Sequence, residues 1–197
     1  MTAVQDALEI PARLSLGAAV SDSLVVAKRF LLQLLRTPQL IVFTIVQNLL
    51  FLFMFRYVFG GAIHIPGLAY VDYIIPAFLA QIAIWDGFAI AVGLATDAQA
   101  GLIERFRALP MARSAFLVGR SIADALRQAF LLVLMVGVGV LMGFGFNAGF
   151  LSVIAALGLA LLFGFALFWL FAWIGMGVGN TETAQAAATP IIVFSFI

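Results

Sequence analysis

From Leu40 to Phe59 the chain carries a single charge, Arg56. About 20 helical residues at 1.5 Å each cross a hydrocarbon core about 30 Å thick, so this run predicts a first membrane span. Tyr73 to Ala95 predicts a second, with Pro76, Gln81 and Asp86 inside it. Ala129 to Phe146 predicts a third and Phe150 to about Trp173 a fourth, with the short FGFNAG as the hairpin between them. A fifth apolar run begins at Ala184 and reaches Ile197.

Between the long runs the pattern becomes amphipathic. In SDSLVVAKRFLLQLLRTP, Leu24, Ala27, Phe30, Leu31, Leu34 and Leu35 recur on one helical face, while Arg29, Gln33 and Arg36 share the other. This predicts a helix over residues 21–37 lying at the membrane surface, capped by Ser21 or Asp22 and ended at Pro38, where the chain turns into the bilayer. Residues 1–20 have no run of spanning length and no basic start of a signal peptide, and read as a cytoplasmic tail.

After the second span, Thr96 or Asp97 can cap a short helix in which Ala98, Leu102, Phe106 and Leu109 repeat on one face and which Pro110 ends. Ser114 can cap another that continues into the third span. Along it Arg113, Arg120, Asp124 and Arg127 form a stripe, with Arg120–Asp124 and Asp124–Arg127 at pairing distance.

Composition places these elements in lipid. The chain is 65% hydrophobic and 10% charged, with a mean hydropathy of +1.19, against about 45–50% apolar residues in soluble domains. The fold class is therefore an all-α, polytopic membrane helical bundle: a tail over 1–20, an interfacial helix over 21–37 and a transmembrane domain over 38–197. The net charge of +1 conceals a strong asymmetry. Arg13, Lys28, Arg29 and Arg36 precede the first span, and Arg105, Arg107, Arg113, Arg120 and Arg127 lie between the second and third. Only Arg56 lies toward the other side. Basic residues accumulate on the cytoplasmic side, which puts the N-terminus and residues 96–127 there, in a plasma-membrane protein. Nothing in this charge distribution points to nucleic acid.

Candidate chemistry is sparse. There is no cysteine, and His64 stands alone in the outer loop. The one lysine, Lys28, is not in a phosphate-binding Gly-x-x-x-x-Gly-Lys motif, so neither an ATPase domain nor a cofactor site is encoded. Gly175, Gly177 and Gly179 read as a loosened inner end of the fourth span. Gly139 and Gly143 have the spacing for close helix packing, and Phe163, Phe168, Trp169 and Trp173 read as lipid-facing. Asp86 is the exception. A carboxylate at mid-span costs about 2.5–3.5 kcal/mol on insertion scales and needs a partner. Gln47 and Asn48 of the first span fall at its depth, so the three either line a path for a cationic amphiphile or join helices as polar glue.

Several stretches carry a family resemblance. Gly101-Leu-Ile-Glu-Arg-Phe-Arg-Ala-Leu-Pro-Met-Ala-Arg113, followed by Gly119-Arg120 and Ala123-Asp124, resembles the cytoplasmic loop of ABC-2 type exporter permeases, in particular the daunorubicin/doxorubicin-resistance branch. Tyr70 to Pro76 and Thr183 to Ala187 are similar to that family too, and the resemblance runs over residues 21–197. It implies a coupling segment over 96–120 in which Gly101, Glu104, Arg105, Phe106, Arg107, Leu109, Pro110 and Arg113 dock on a separate ATPase subunit. That subunit would bind ATP and Mg. It also implies a second permease copy in a homodimer within membrane lipid, and outward movement of an amphipathic drug, antibiotic or lipid-like compound. Such permeases have six spans, so the five visible here predict a fragment or a truncated product. An ABC importer permease is the neighbouring reading, since Asp97-Ala-Gln-Ala-Gly101 echoes its coupling loop, but too few residues separate Gly101 from Leu109-Pro110. A membrane scaffold or enzyme without an ATPase would need a catalytic constellation that these residues do not form.

Overall fold

The computed structural model describes residues 16–60, 70–107, 114–144 and 149–195. They form α1 (Leu16–Arg36), α2 (Pro38–Met54) with a π-helical turn at its end (Phe55–Phe59), α3 (Tyr70–Gln99), α4 (Leu102–Arg107), α5 (Ala115–Leu141), α6 (Phe150–Gly177) and α7 (Thr181–Phe194). No strand occurs among the described residues. Among the described residues four helices are long and apolar enough to cross a membrane, at Pro38–Val58, Asp72–Gln99, Ala115–Leu141 and Leu151–Gly177. The molecule is a multi-pass membrane protein. The fifth run corresponds to α7, whose 14 residues rise only about 21 Å at 1.5 Å each, less than the hydrocarbon thickness.

The bundle is built on the pairing of α3 with α6. Small residues let these helices approach: a Cβ at Gly175 would lie 2.4 Å from the carbonyl oxygen of Ala91, and one at Gly87 would meet the ring of the fully buried Phe171. Gly175 is thus a packing residue inside a continuous helix, not a loosened end. α7 lies along α3 through Ala184 and Ala188, both fully buried. It is tied to α3 near both ends, where Thr181 Oγ1 donates to Gln99 Oε1 at 2.8 Å and Gln81 Nε2 donates to Ser195 Oγ at 3.1 Å.

Three apolar clusters occur among the described residues, one of them formed by Ala91, Phe171 and Ala188 where α3, α6 and α7 meet. Leu52, Ile75, Phe78, Ile82, Leu132 and Met135 join α2, α3 and α5 at one end. Ile90, Leu94, Phe116, Phe168 and Ala172 join α3, α5 and α6 toward the other. Phe168 is core rather than lipid-facing, whereas Trp173 is exposed as the sequence implies. Gly139 packs closely as its spacing suggests, facing Ile75, but Gly143 ends α5 at φ +94°. The described part of α2 is buried only at Leu52. Its first half, with Leu40, Val42, Phe43 and Val46 exposed, stands away from the bundle.

α1 has three faces rather than two. Ser23, Val26 and Ala27 are buried, with Phe30 half-buried beside them, and this stripe packs on Phe116 and Gly119 of α5. Leu24 and Leu35 remain exposed. Ser21 and Asp22 lie inside this helix, which is described from Leu16, rather than at its N-terminus. Pro38 is at the first turn of α2, where its missing N–H has no helical acceptor to lose.

Candidate functional site

The segment joining α3 to α5 departs from the single helix expected over residues 98–109. α3 continues through Thr96 and Asp97, so these do not cap a new helix. Gly101 stops it: at φ +67° this residue occupies the left-handed region that a glycine enters without steric cost, and its N–H bonds to the carbonyl of Ala98 at 3.0 Å. The six-residue α4 follows. Leu102 and Ile103 turn inward against the cluster of Ile90, Leu94 and Phe116, while Glu104 and Arg105 are exposed. Phe106 and Arg107 complete the helix. Leu109, Pro110 and Arg113 lie outside the described residues. So does His64. Ser114 takes the N-cap position of α5 without a side-chain bond to the helix.

From the end of α3 a chain of ion pairs descends into the membrane. Asp97 pairs with Arg120. Arg120 Nε lies 3.8 Å from Asp124, Asp124 lies 3.5 Å from Arg127 Nε, and Arg127 reaches Asp86 at 3.2 Å. The order is acid, base, acid, base, acid. The two pairs within α5 follow the i, i+4 and i, i+3 spacing read from the sequence. The contacts across to α3 join two antiparallel helices. Every side chain of this ladder is less than a third exposed, so removing either guanidinium leaves a neighbouring carboxylate poorly compensated.

Local packing fixes the ladder. Gly93 leaves room for the guanidinium of Arg120, whose Nη2 lies 2.7 Å from where a Cβ would be. The same guanidinium sits 5.3 Å from the ring centroid of Phe30, which meets Phe116 edge-on at 5.9 Å. α1 therefore holds the ladder from the side. Oδ2 of Asp86 and Oδ2 of Asp124 are buried without a hydrogen-bond partner.

Gln47 and Asn48 are not Asp86's partners. Gln47 is exposed and Asn48 half-buried on α2, and the hydrogen bond to Asp86 comes from Arg127. Equal depth did not become contact because α2 leans away. The actual partner was accessible to a simple count. Asp86 lies 13 residues before Gln99 and Arg127 lies 13 after Ser114, so antiparallel helices joined by the intervening segment bring them level. Asp97, read as a cap, was missed as the ladder's first member.

Beside the ladder, a groove opens between α1 and α2 on one side and α3 and α5 on the other. It comprises two cavities of about 440 and 530 Å³ that share Leu31, Leu34, Leu40, Arg120, Asp124 and Arg127. The smaller also meets Asp97, and the larger is walled by Ile41, Phe130 and Leu131.

Residues 23–197 match the family described as ABC-2 type transporter. The chain belongs to the ABC-2 type transporter family. Two curated members extend the comparison. Over 190 residues the chain is 33% identical to the daunorubicin resistance ABC transporter permease protein DrrB1 of Streptomyces coeruleorubidus, covering 96% of this chain and 65% of that protein. Over 152 residues it is 26% identical to the probable doxorubicin resistance ABC transporter permease protein DrrC of Mycobacterium tuberculosis, covering 75% and 54%. The chain thus spans less than two thirds of the length of either ABC-2 relative. No solved structure matches it.

Proposed function

We propose that this chain is the permease subunit of an ATP-driven exporter, in which a separate ATPase subunit binds ATP and Mg and drives outward movement of an amphipathic compound. The observation that carries this reading is the ladder. It starts at Asp97, four residues before the bend at Gly101 that positions α4, and ends at Asp86 in the middle of a span. A push on α4 reaches the membrane interior through charged contacts that cannot slip without uncovering a buried charge. α4 has the form of a docking element, anchored by Leu102 and Ile103 and presenting Glu104 and Arg105 outward. Gly101 supplies its hinge, and Phe106, Arg107, Leu109, Pro110 and Arg113 extend the same coupling segment. The basic residues around it favour a cytoplasmic orientation of this segment and of the N-terminus, and a second permease copy completes the transporter.

The substrate reading follows from charge. The ladder has three carboxylates against two guanidiniums, and Asp124 also lines the groove. One excess negative charge in a low-dielectric setting favours a cationic amphiphile over an anionic one. Asp86 is its deepest acid, and Gln47 and Asn48 contribute polar surface on α2 as the compound moves on.

The test is charge reversal at the docking surface. In the full-length protein assembled with its ATPase, Arg105→Glu should leave membrane level and thermal stability unchanged while substrate stimulation of ATP hydrolysis and export disappear together. Normal export from the reversed protein would reduce the basic segment to a topology signal.

A further inference from the structure

The basic face of α1 has no part in the ladder. A cleft of about 420 Å³ runs along it, lined by Lys28, Arg29, Gln33, Arg36 and Thr37 with Val25 and Leu32. These are three cations and two hydrogen-bonding side chains, without an acid. Arg120 and Arg127 are each bracketed by two carboxylates, whereas Lys28 and Arg36 form no ion pair among the described residues. Their positive charge is directed outward.

The position of this cleft in the bilayer is set by its neighbours. Pro38 begins the first span immediately after Arg36 and Thr37, so the cations sit where the chain passes from headgroup to hydrocarbon. Lys28 and Arg36 flank the exposed Leu24 and Leu35, the arrangement of an interfacial helix that keeps charged tips wet above buried stems. Arg29, Gln33 and Thr37 also line the 440 Å³ cavity. That cavity continues through Leu31, Leu34 and Leu40 into the larger one, walled by Ile41 and Phe130. Along the α1–α2 wall of this path the lining changes from cationic, to amide and hydroxyl, to aliphatic, while Arg120, Asp124 and Arg127 line the opposite wall. A phospholipid presents its phosphate, its ester linkages and its chain in the same order.

We infer that this corner between α1 and α2 is a binding site for an anionic phospholipid of the leaflet on α1's side, its phosphate held by Lys28, Arg29 and Arg36 and an acyl chain in the wedge between α2 and α5. The three like charges at the entrance, apart from the excess acid of the ladder deeper in the groove, select an anionic headgroup. A soluble phosphate has nothing to place against Leu34, Leu40 and Ile41. The wedge exists because α2 is packed only toward its far end, and a hydrocarbon chain supplies the contacts that protein does not. The site does not rest on the transport reading: it requires only a membrane and the charges of α1.

The full-length protein, extracted in mild detergent from membranes holding phosphatidylglycerol and phosphatidylcholine in equal amounts, provides the measurement. Bound lipid is counted by native mass spectrometry. Each cation near an anionic lipid surface contributes roughly fivefold, so Lys28 and Arg36 together should give a preference for phosphatidylglycerol of roughly twentyfold, decreasing with salt. The double variant Lys28→Gln/Arg36→Gln should bring the preference close to parity, and Lys28→Arg/Arg36→Lys should retain it. Inorganic phosphate should not displace the lipid. Ile41→Trp, which fills the wedge and leaves the cations in place, should lower retention of both lipids without lowering the melting temperature. Equal retention by the unaltered protein, an undiminished preference in the glutamine variant, or displacement by phosphate alone would overturn the site. Unchanged retention in Ile41→Trp would remove the chain from the wedge. ATPase coupling is not measured here, so a negative result leaves the permease reading standing.

Discussion

Arg127 on α5 reaches Asp86 on α3 at 3.2 Å and lies 3.5 Å from Asp124, three residues behind it on its own helix. A single guanidinium thus serves two carboxylates at mid-span and, among the described residues, is the base paired with the deepest acid of the ladder. The forked donor set of arginine suits this bridging position, which a lysine ammonium fills less well.

The two ends of that contact should respond differently to substitution. Arg127→Gln leaves two acids facing each other in lipid with one remaining base, and should lower stability by about 3–5 kcal/mol. Asp86→Asn removes the excess acid, keeps the size and a hydrogen-bond acceptor, and should leave stability unchanged or raise it. In the coupled transporter it should weaken export of a cationic compound far more than of a neutral one. Thermal unfolding in detergent and paired export assays read both effects. Equal losses for the two compounds would count against charge recognition, and a destabilised Asp86→Asn would contradict the charge count.

Gly175 marks a close approach of α6 to α3. Gly175→Ala places a methyl group 2.4 Å from the Ala91 carbonyl oxygen and 2.9 Å from its Cα, so α3 and α6 must separate. Overpacking of this kind costs about 1–3 kcal/mol. Gly137→Ala, where a Cβ meets nothing within 4 Å, should be neutral or slightly stabilising through helix propensity. Comparable melting temperatures for the two variants would show that α3 and α6 do not cross as described.

The docking of α1 is open to a local test. At Gly119 a Cβ would lie 2.6 Å from the Ser23 carbonyl oxygen and 2.7 Å from Val26, so Gly119→Val should lift α1 from α5. Amide exchange over residues 16–36 should accelerate while the spans remain protected. With Phe30 displaced from beside Arg120, the ladder should loosen as well. Unaltered exchange across α1 would mean that this helix is held by something other than the α5 contact.

Topology can be read with single cysteines, because the chain has none of its own. Cysteines at Ala62 and Ser114 should label from opposite sides, with only the former reached by an impermeant reagent in intact cells. Labelling of both from outside is incompatible with the proposed orientation.

Features that depend on composition along one helix are legible without any tertiary contact. Long apolar runs specified the spans, because lipid offers no partner for an unpaired backbone and a helix satisfies its own. The spacing of Arg120, Asp124 and Arg127 specified two ion pairs, since neighbours three and four residues apart on one helix meet regardless of what surrounds it. The motif from Gly101 to Arg113 indicated the family before any contact was known. Tertiary structure decided what lies between helices. Whether Asp86 meets Asn48 or Arg127 depends on which helix leans toward α3, and α2 stands away while α5 closes in. Ser23, Val26 and Ala27 became the protein-facing side of α1 because Gly119 permits that approach, although Leu24 and Leu35 are the more apolar residues. Likewise the end of α3 follows from the left-handed backbone at Gly101, which a pattern of apolar residues running through it conceals. Hydrophobicity tells a helix to be in the membrane, but in lipid it cannot choose between neighbouring helices, and that choice falls to small residues and buried charges.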